Sequence, residues 1–519
     1  MESRIPGPSP ALDPRLARNT ALNLVGNGAP MLVALVAIPV LLRGIGTERF
    51  GILTLAWMLV GYFSLFDLGI ARAMTKSVSE HLARGELREL PSLVWTSLYL
   101  MLGFGALGGV VAAGVTPLLV DRVLNIPPEL VEESTSSFHL LALCVPVVLV
   151  TAGLRGVLEA QQRFGLINAI KIPANAANFL APLAALPFTR SLAPVVGLLV
   201  AGRVLVFLVH LGYSLNSLPG LLRPVRPNTE RAKELLGFGA WLTVSNVVYP
   251  LMSYLDRFFI GAVLTMREVA YYVTPYELVT KLVLISFSLQ ATIFPAFTAL
   301  AATRREDLCA LHDRAVVHML MVYTPIAAAV IVLADPFLSV WLGGEFPSRS
   351  AAVMRLLSVG VLLNAVGGVP YNAIQAMGRA DLTAKFHLAE LPVYVAMLVV
   401  FTKAMGIGGA ALAWTLRLAL DTTIWLWLAK SIIRTGPAGM RLIGHFGAAG
   451  GVLVAAAALA RLPDLPWKVG LLLILVAFTA TVSWRQGLSD TEKASIRETA
   501  RQWSGRRKIE ARGARRVEP

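Results

Sequence analysis

Apolar stretches of about 20 residues, long enough to cross about 30 Å of hydrocarbon as a helix, recur from residue 20 to residue 484 with short polar interruptions. The pattern predicts spans at 20–42, 51–74, 93–117, 138–158, 166–188, 192–213 and 237–263. A second set follows at 269–298, 316–334, 351–377, 382–404, 408–429, 442–460 and 467–484. Two of the apolar stretches are too long for one span, and they divide at Pro194 and at Lys403–Gly409, where Pro and Gly favour a turn. The fold class is therefore an all-α polytopic membrane protein with about 14 transmembrane helices.

Composition agrees, since 56% of the 519 residues are hydrophobic and 15% are charged, against about 25% charged in an ordinary soluble chain. The excess of 46 Lys and Arg over 31 Asp and Glu would suggest nucleic acid in a soluble protein, but here it falls in the connections between spans. One set of turns, with Lys76, Arg84, Arg88, Arg223, Arg226, Arg231 and Lys233 among its basic residues, carries roughly twice the Lys and Arg of the other. That set is expected to be cytoplasmic, which places both termini inside and leaves no role for a nucleic-acid partner. The first fourteen residues are Pro-rich and lack an apolar h-region, so the first span is expected to act as an uncleaved insertion signal. The segment 485–519 holds ten Lys or Arg against five acids and reads as a basic tail near anionic headgroups.

Several chemistries are excluded. Cys144 and Cys309 lack disulfide or metal spacing, and the seven histidines form no ligand pattern, so neither a metal nor a cofactor is expected. No Gly-rich phosphate loop ending in Lys-Ser or Lys-Thr occurs, which rules out an intrinsic ATPase. The largest outer connection, 118–137, is too short for the active site of a membrane glycosyltransferase or polymerase. The chain is not expected to be an enzyme.

The stretch LEAQQRFGLINAIKI at 158–172 aligns with IQAMGRADLTAKFHL at 374–388, an offset of 216 residues that matches Ala160 to Ala376 and Arg163 to Arg379. GIGTERFGI at 44–52 holds the same place in its half as AVLTMREVA at 262–270. A shift of six spans keeps the membrane orientation, so the halves form a parallel repeat: two pseudo-symmetric six-helix lobes around a central cavity, plus two peripheral helices. The expected divisions are a cytoplasmic segment 1–19, an N-lobe 20–215, a cytoplasmic linker 216–236, a C-lobe 237–434, the last two spans in 435–484 and the tail 485–519.

An ionisable side chain at membrane depth costs at least about 2.5 to 3.5 kcal/mol and is a functional candidate once local pairing is discounted. Glu277 with Lys281, Arg417 with Asp421 and Arg155 with Glu159 stand four apart and can each neutralise themselves on one helix face. Arg203 has only Leu199, Val200, Val206 and Phe207 at helical spacing, so its partner must come from elsewhere. Asp256 and Arg257 likewise have only neutral neighbours at that spacing, and being about 100° apart at least one should face a cavity. Lys171 lies in a polar stripe with Asn168, Asn175 and Asn178, suited to a headgroup or to plain snorkelling at the interface.

The opening from Asn19 to Lys76, with its early Asn residues, the turn ending in Phe50-Gly51 and the FDLGIARA run from Phe66 to Ala73, resembles bacterial polysaccharide-biosynthesis exporters. These are the O-antigen flippase group of the multidrug/oligosaccharidyl-lipid/polysaccharide superfamily. YLDRFFIG at 254–261, the Phe294-Pro295 pair and GIGGAALAWTLR at 406–417 resemble it too. The resemblance implies a flippase that moves undecaprenyl-diphosphate-linked oligosaccharide from the cytoplasmic to the outer leaflet of the bacterial inner membrane by alternating access. Its partners would be that substrate, membrane lipids, and a polysaccharide polymerase with other assembly proteins. Arg and Lys in a wet cavity could replace the hydration of the diphosphate, which singles out Arg203, Arg257, Lys281, Arg417 and Lys171. Sugar hydroxyls call for amides such as Asn23, Asn27, Asn246, Gln290 and Asn364, which also suit interhelical hydrogen bonding. Asp67, Asp256, Glu277, Glu390 and Asp421 are candidates for coupling to protons or sodium. The alternative is a multidrug cation/proton or sodium antiporter of the same superfamily, whose cationic substrates would favour an acidic cavity. The peptidoglycan-precursor flippase is a third option, but its opening motifs are not evident.

Overall fold

The computed structural model describes residues 14–63, 69–218, 220–303, 305–433 and 439–482, together with 484, 493 and 494. Every regular element among them is helical: α1 (Pro14–Ile45), α2 (Thr47–Phe63), α3 (Ile70–Arg84), α4 (Leu90–Leu118), α5 (Val131–Ala160), α6 (Phe164–Ala185), α7 (Leu192–Leu215) and α8 (Thr229–Val263). They continue as α9 (Met266–Thr280), α10 (Val283–Thr303), α11 (Arg305–Trp341), α12 (Phe346–Ala376), α13 (Ala380–Ile433), α14 (Gly439–Leu459) and α15 (Leu465–Val482). Among the described residues eight helices are long and apolar enough to cross a bilayer, or nine if one bent pair counts as a single span. A helix satisfies its backbone groups within a single segment, so an apolar stretch of about 20 residues can cross hydrocarbon by itself only in this form.

Part of the difference from the expected fourteen is local, and the expected spans 20–42 and 237–263 contain side chains outside the described residues. Gly406 at φ 61 interrupts α13, so its 54 residues contain the two expected spans 382–404 and 408–429, divided where Lys403–Gly409 suggested. Of the expected span 51–74, α2 covers the part to Phe63, residues 64–68 lie outside the described residues, and Gly69 at φ 74 caps a separate, more polar helix, α3. The expected span 269–298 is likewise divided between α9 and α10. Pro194 does not begin a turn; it occupies the first turn of α7, where a missing N–H removes no hydrogen bond. The connection expected over 118–137 is shorter because α5 begins at Val131, and it is tied down by Asn125, whose Nδ2 donates to the carbonyls of Ala262 and Leu264 at 3.0 and 2.7 Å.

The chain forms two compact units. The first comprises Met1–Leu284, Trp341–Leu357 and Ala380–Arg417, and contains a core of Met74, Val78, Leu93, Leu98, Leu154, Val157 and Leu221. Here α4 and α5 pack closely through glycines: a Cβ on Gly105 would lie 2.5 Å from Pro146 Cα, and one on Gly109 2.8 Å from the Ala142 carbonyl oxygen. Close backbone approach of this kind replaces the hydrophobic driving force that helices lack in lipid. The second unit comprises Ile285–Val340, Ser358–Arg379 and Leu418–Pro519. In it α14 and α15 pack on α11 through Val452, Ala456 and Leu472 against Ala328, Ile331 and Val332.

The 216-residue offset reappears in backbone geometry. Helices end at Ala160 and Ala376 and restart at Phe164 and Ala380. Between them Gln162 and Gly378 take φ values of 58 and 78. The N–H of Arg163 donates to Leu158 O at 3.0 Å, and that of Arg379 to Ile374 O at 3.2 Å. These 6→1 bonds close a helix end on a left-handed residue.

Candidate functional site

The first unit encloses a cavity of about 400 Å³, lined by residues of α1, α2, α5, α6, α7, α8 and α9 and by Trp341. Its charged lining residues are Arg203, Arg257, Lys281 and Glu277, three cations against one carboxylate. Arg203, on α7, donates from Nη2 to Asn178 Oδ1 of α6 at 2.9 Å. A neutral amide orients the guanidinium without neutralising it. Arg257, on α8, meets Glu277 Oε1 of α9 at 3.0 Å, and Lys281 Nζ meets Glu277 Oε2 at 3.1 Å. The Arg257 guanidinium also lies 4.4 Å from the Tyr276 ring centroid and 5.2 Å from that of Tyr254. Stacked between two rings and 4% exposed, it is held in place.

A second cluster lies in the same unit and is closed to solvent. Asp256, fully buried, accepts from the Tyr272 hydroxyl at 2.5 Å. Arg417 approaches Glu390 at 3.7 Å and lies 5.2 Å from the Tyr394 ring centroid. Glu390 in turn accepts from or pairs with His387 Nδ1 at 3.1 Å. Arg417 is close enough to Asp256 for their charges to interact.

Three of the five expected diphosphate cations, Arg203, Arg257 and Lys281, thus come together in one cavity. Arg417 belongs to the buried cluster, and Lys171 is exposed on α6 away from the cavity lining. The sequence assigned Glu277 to Lys281 alone; it bridges Lys281 and Arg257, because α9 presents it to α8 twenty residues earlier. Arg155 and Glu159 form their expected pair at 3.1 Å. Of the sugar candidates, Gln290 and Asn364 lie in the second unit, where Gln290 Oε1 accepts from Asn372 at 2.7 Å. The side chains of Asn23, Asn27 and Asn246, and residue Asp67, lie outside the described residues. Asp421 is buried in the second unit. Sequence reasoning missed the aromatic residues of the cavity, Trp57, Tyr254, Phe179 and Trp341. Tyr254 stands three residues before Arg257, a spacing that could have flagged the stacking.

Helices long and apolar enough to cross a bilayer, with a cavity whose described charged lining is mainly cationic, define a membrane protein. Solved structures agree on the fold. The lipid II flippase MurJ in an inward closed conformation has a TM-score of 0.71 at 11% identity, covering 90% of this chain and 99% of its own. An inward-facing multidrug resistance MATE family transporter of the MOP superfamily has a TM-score of 0.68 at 14% identity, covering 80% of this chain and 98% of its own. A Shigella flexneri protein described as an O-antigen transporter is 29% identical over 416 residues, 80% of this chain and 97% of its own. The chain belongs to the polysaccharide biosynthesis protein family, whose model matches residues 16–301.

Proposed function

We propose that the protein is a flippase that carries an undecaprenyl-diphosphate-linked oligosaccharide from the cytoplasmic to the outer leaflet of the bacterial inner membrane. The observation that carries this reading is the cavity in which Arg203, Arg257 and Lys281 outnumber a single carboxylate, Glu277. A diphosphate is the most costly part of such a lipid to move through hydrocarbon, and guanidinium groups replace its hydration with charge-assisted hydrogen bonds. Trp57 and Tyr254 offer ring faces to a sugar. The family and the O-antigen relative support the same cargo. A cation antiporter would use the opposite charge balance.

Transport proceeds by alternating access of two six-helix lobes, 20–215 and 237–434, with both termini cytoplasmic. Asp256, Glu277 and Glu390 are the coupling candidates that the first unit brings near its cations. The test is complementation of polysaccharide export in a flippase-deficient strain, with membrane abundance measured in parallel. Arg203→Ala should abolish export at normal abundance, and Arg203→Lys should restore it only in part, because a point charge lacks the bidentate fork. Normal export by Arg203→Ala at normal abundance would overturn the assignment.

A further inference from the structure

The three cavity cations are held by partners of different charge. Arg257 and Lys281 share the carboxylate of Glu277, whereas the hydrogen bond that fixes Arg203 goes to the amide oxygen of Asn178 at 2.9 Å. Among the described residues Arg203 forms no ion pair, and one of the five donors of its guanidinium is given to a protein acceptor. Asn178 and Arg203 both line the cavity, and neither is buried. An amide and a carboxylate have nearly the same size and present the same acceptor oxygen to a guanidinium. They differ in what they leave for a ligand. A carboxylate neutralises the guanidinium and pairs with both arms of its fork, while an amide offers one acceptor oxygen and no charge. If the contact served only to tie α6 to α7, a carboxylate would do so with a stronger, charge-assisted bond.

We propose that Asn178 is a positioning residue for the cargo: it fixes the Arg203 guanidinium through a neutral acceptor, so that the charge and the remaining donors of the fork are available to a diphosphate. This rests on the flippase reading above. A long arginine side chain loses rotamer freedom when it engages a ligand. A hydrogen bond that orders it beforehand removes part of that cost from binding. A carboxylate at residue 178 would order the side chain as well, but the ligand would then have to displace it or share the guanidinium with it. The charged lining of the cavity would also pass from three cations against one carboxylate to three against two.

The experiment measures binding of farnesyl diphosphate to the purified full-length protein, with thermal unfolding recorded on the same samples. Asn178→Asp should weaken binding by about tenfold or more, because the carboxylate takes the charge-assisted bond from the ligand, with thermal stability at or above that of the wild type. Asn178→Ala leaves the charge and removes the orientation, and should weaken binding by about threefold. The order separates the two roles: a purely structural amide would be replaced better by Asn178→Asp, which retains size and acceptor, than by Asn178→Ala. Binding by Asn178→Asp as tight as that by Asn178→Ala, or tighter, overturns the proposal. Should Asn178→Asp fail to fold, Asn178→Ala is read against Arg203→Ala. It should retain most of the binding that Arg203→Ala loses, and equal losses overturn the proposal. A wild-type protein that does not bind farnesyl diphosphate, or binding that Arg203→Ala leaves unchanged, refutes the flippase reading and the proposal with it. Binding weakened by Arg203→Ala, with the two Asn178 variants in the structural order, refutes only the role of the amide.

Discussion

Asp256 and Arg257 are adjacent in the chain and their charges interact, yet the helix turns their side chains toward different partners. Arg257 lines a cavity and is linked through Glu277 to a half-exposed Lys281. Asp256 points into a closed cluster with Tyr272, near an Arg417 whose side chain is 2% exposed and whose partner Glu390 is 4% exposed. The residue types are nearly the same in both places. The difference lies in Glu277 and Lys281, which are 31% and 44% exposed, whereas Arg417 and Glu390 are 2% and 4% exposed. Removing a member of the closed set should therefore damage stability, and removing a member of the open set should damage transport.

The largest stability effect is expected for Arg417→Met, which leaves the buried Glu390 without the guanidinium 3.7 Å away and should cost about 3–5 kcal/mol. Thermal unfolding and membrane abundance would register it. If Arg417→Met kept normal abundance but lost export, the buried cluster would belong with the cavity and the contrast would fail. Tyr272→Phe removes the hydroxyl donated to Asp256 and should cost about 1–3 kcal/mol, because a buried carboxylate loses its neutral donor. Tyr276→Leu sharpens the comparison from the open side. It removes the closer ring from Arg257 and should cost about 0.5–2 kcal/mol of stability, with a disproportionate loss of export as the guanidinium becomes mobile. The smallest effect belongs to Arg155→Ala, whose half-exposed pair with Glu159 should change stability by no more than about 0.5 kcal/mol.

What the sequence made legible was whatever one helix or one turn determines. Hydropathy identified the helical class, and the break in α13 fell within Lys403–Gly409. The pairs Glu277–Lys281 and Arg155–Glu159 form because residues four apart share a face. The partners of Arg203 and Arg257 were not legible, since Asn178 and Glu277 come from other helices 25 and 20 residues away. Arg203 and Arg257 could be singled out as candidates by the local absence of a partner, but the identity of that partner is a property of packing. For the same reason the approach of Glu390 to Arg417 was not legible, since it comes from 27 residues earlier in α13.

The paired turns at Gln162 and Gly378 carry a lesson about what endures when a sequence drifts. Both backbones pass through a left-handed dihedral at the same step of the same hydrogen-bonded hairpin, but one site carries a glycine and the other a glutamine. A side chain at positive φ costs about 1 kcal/mol, small enough for the surrounding helices to impose the conformation on either residue. The information shared by the two turns is thus the sign of a torsion angle, and an alphabet of amino acids records it poorly. Gln162→Gly should leave the hairpin geometrically unchanged.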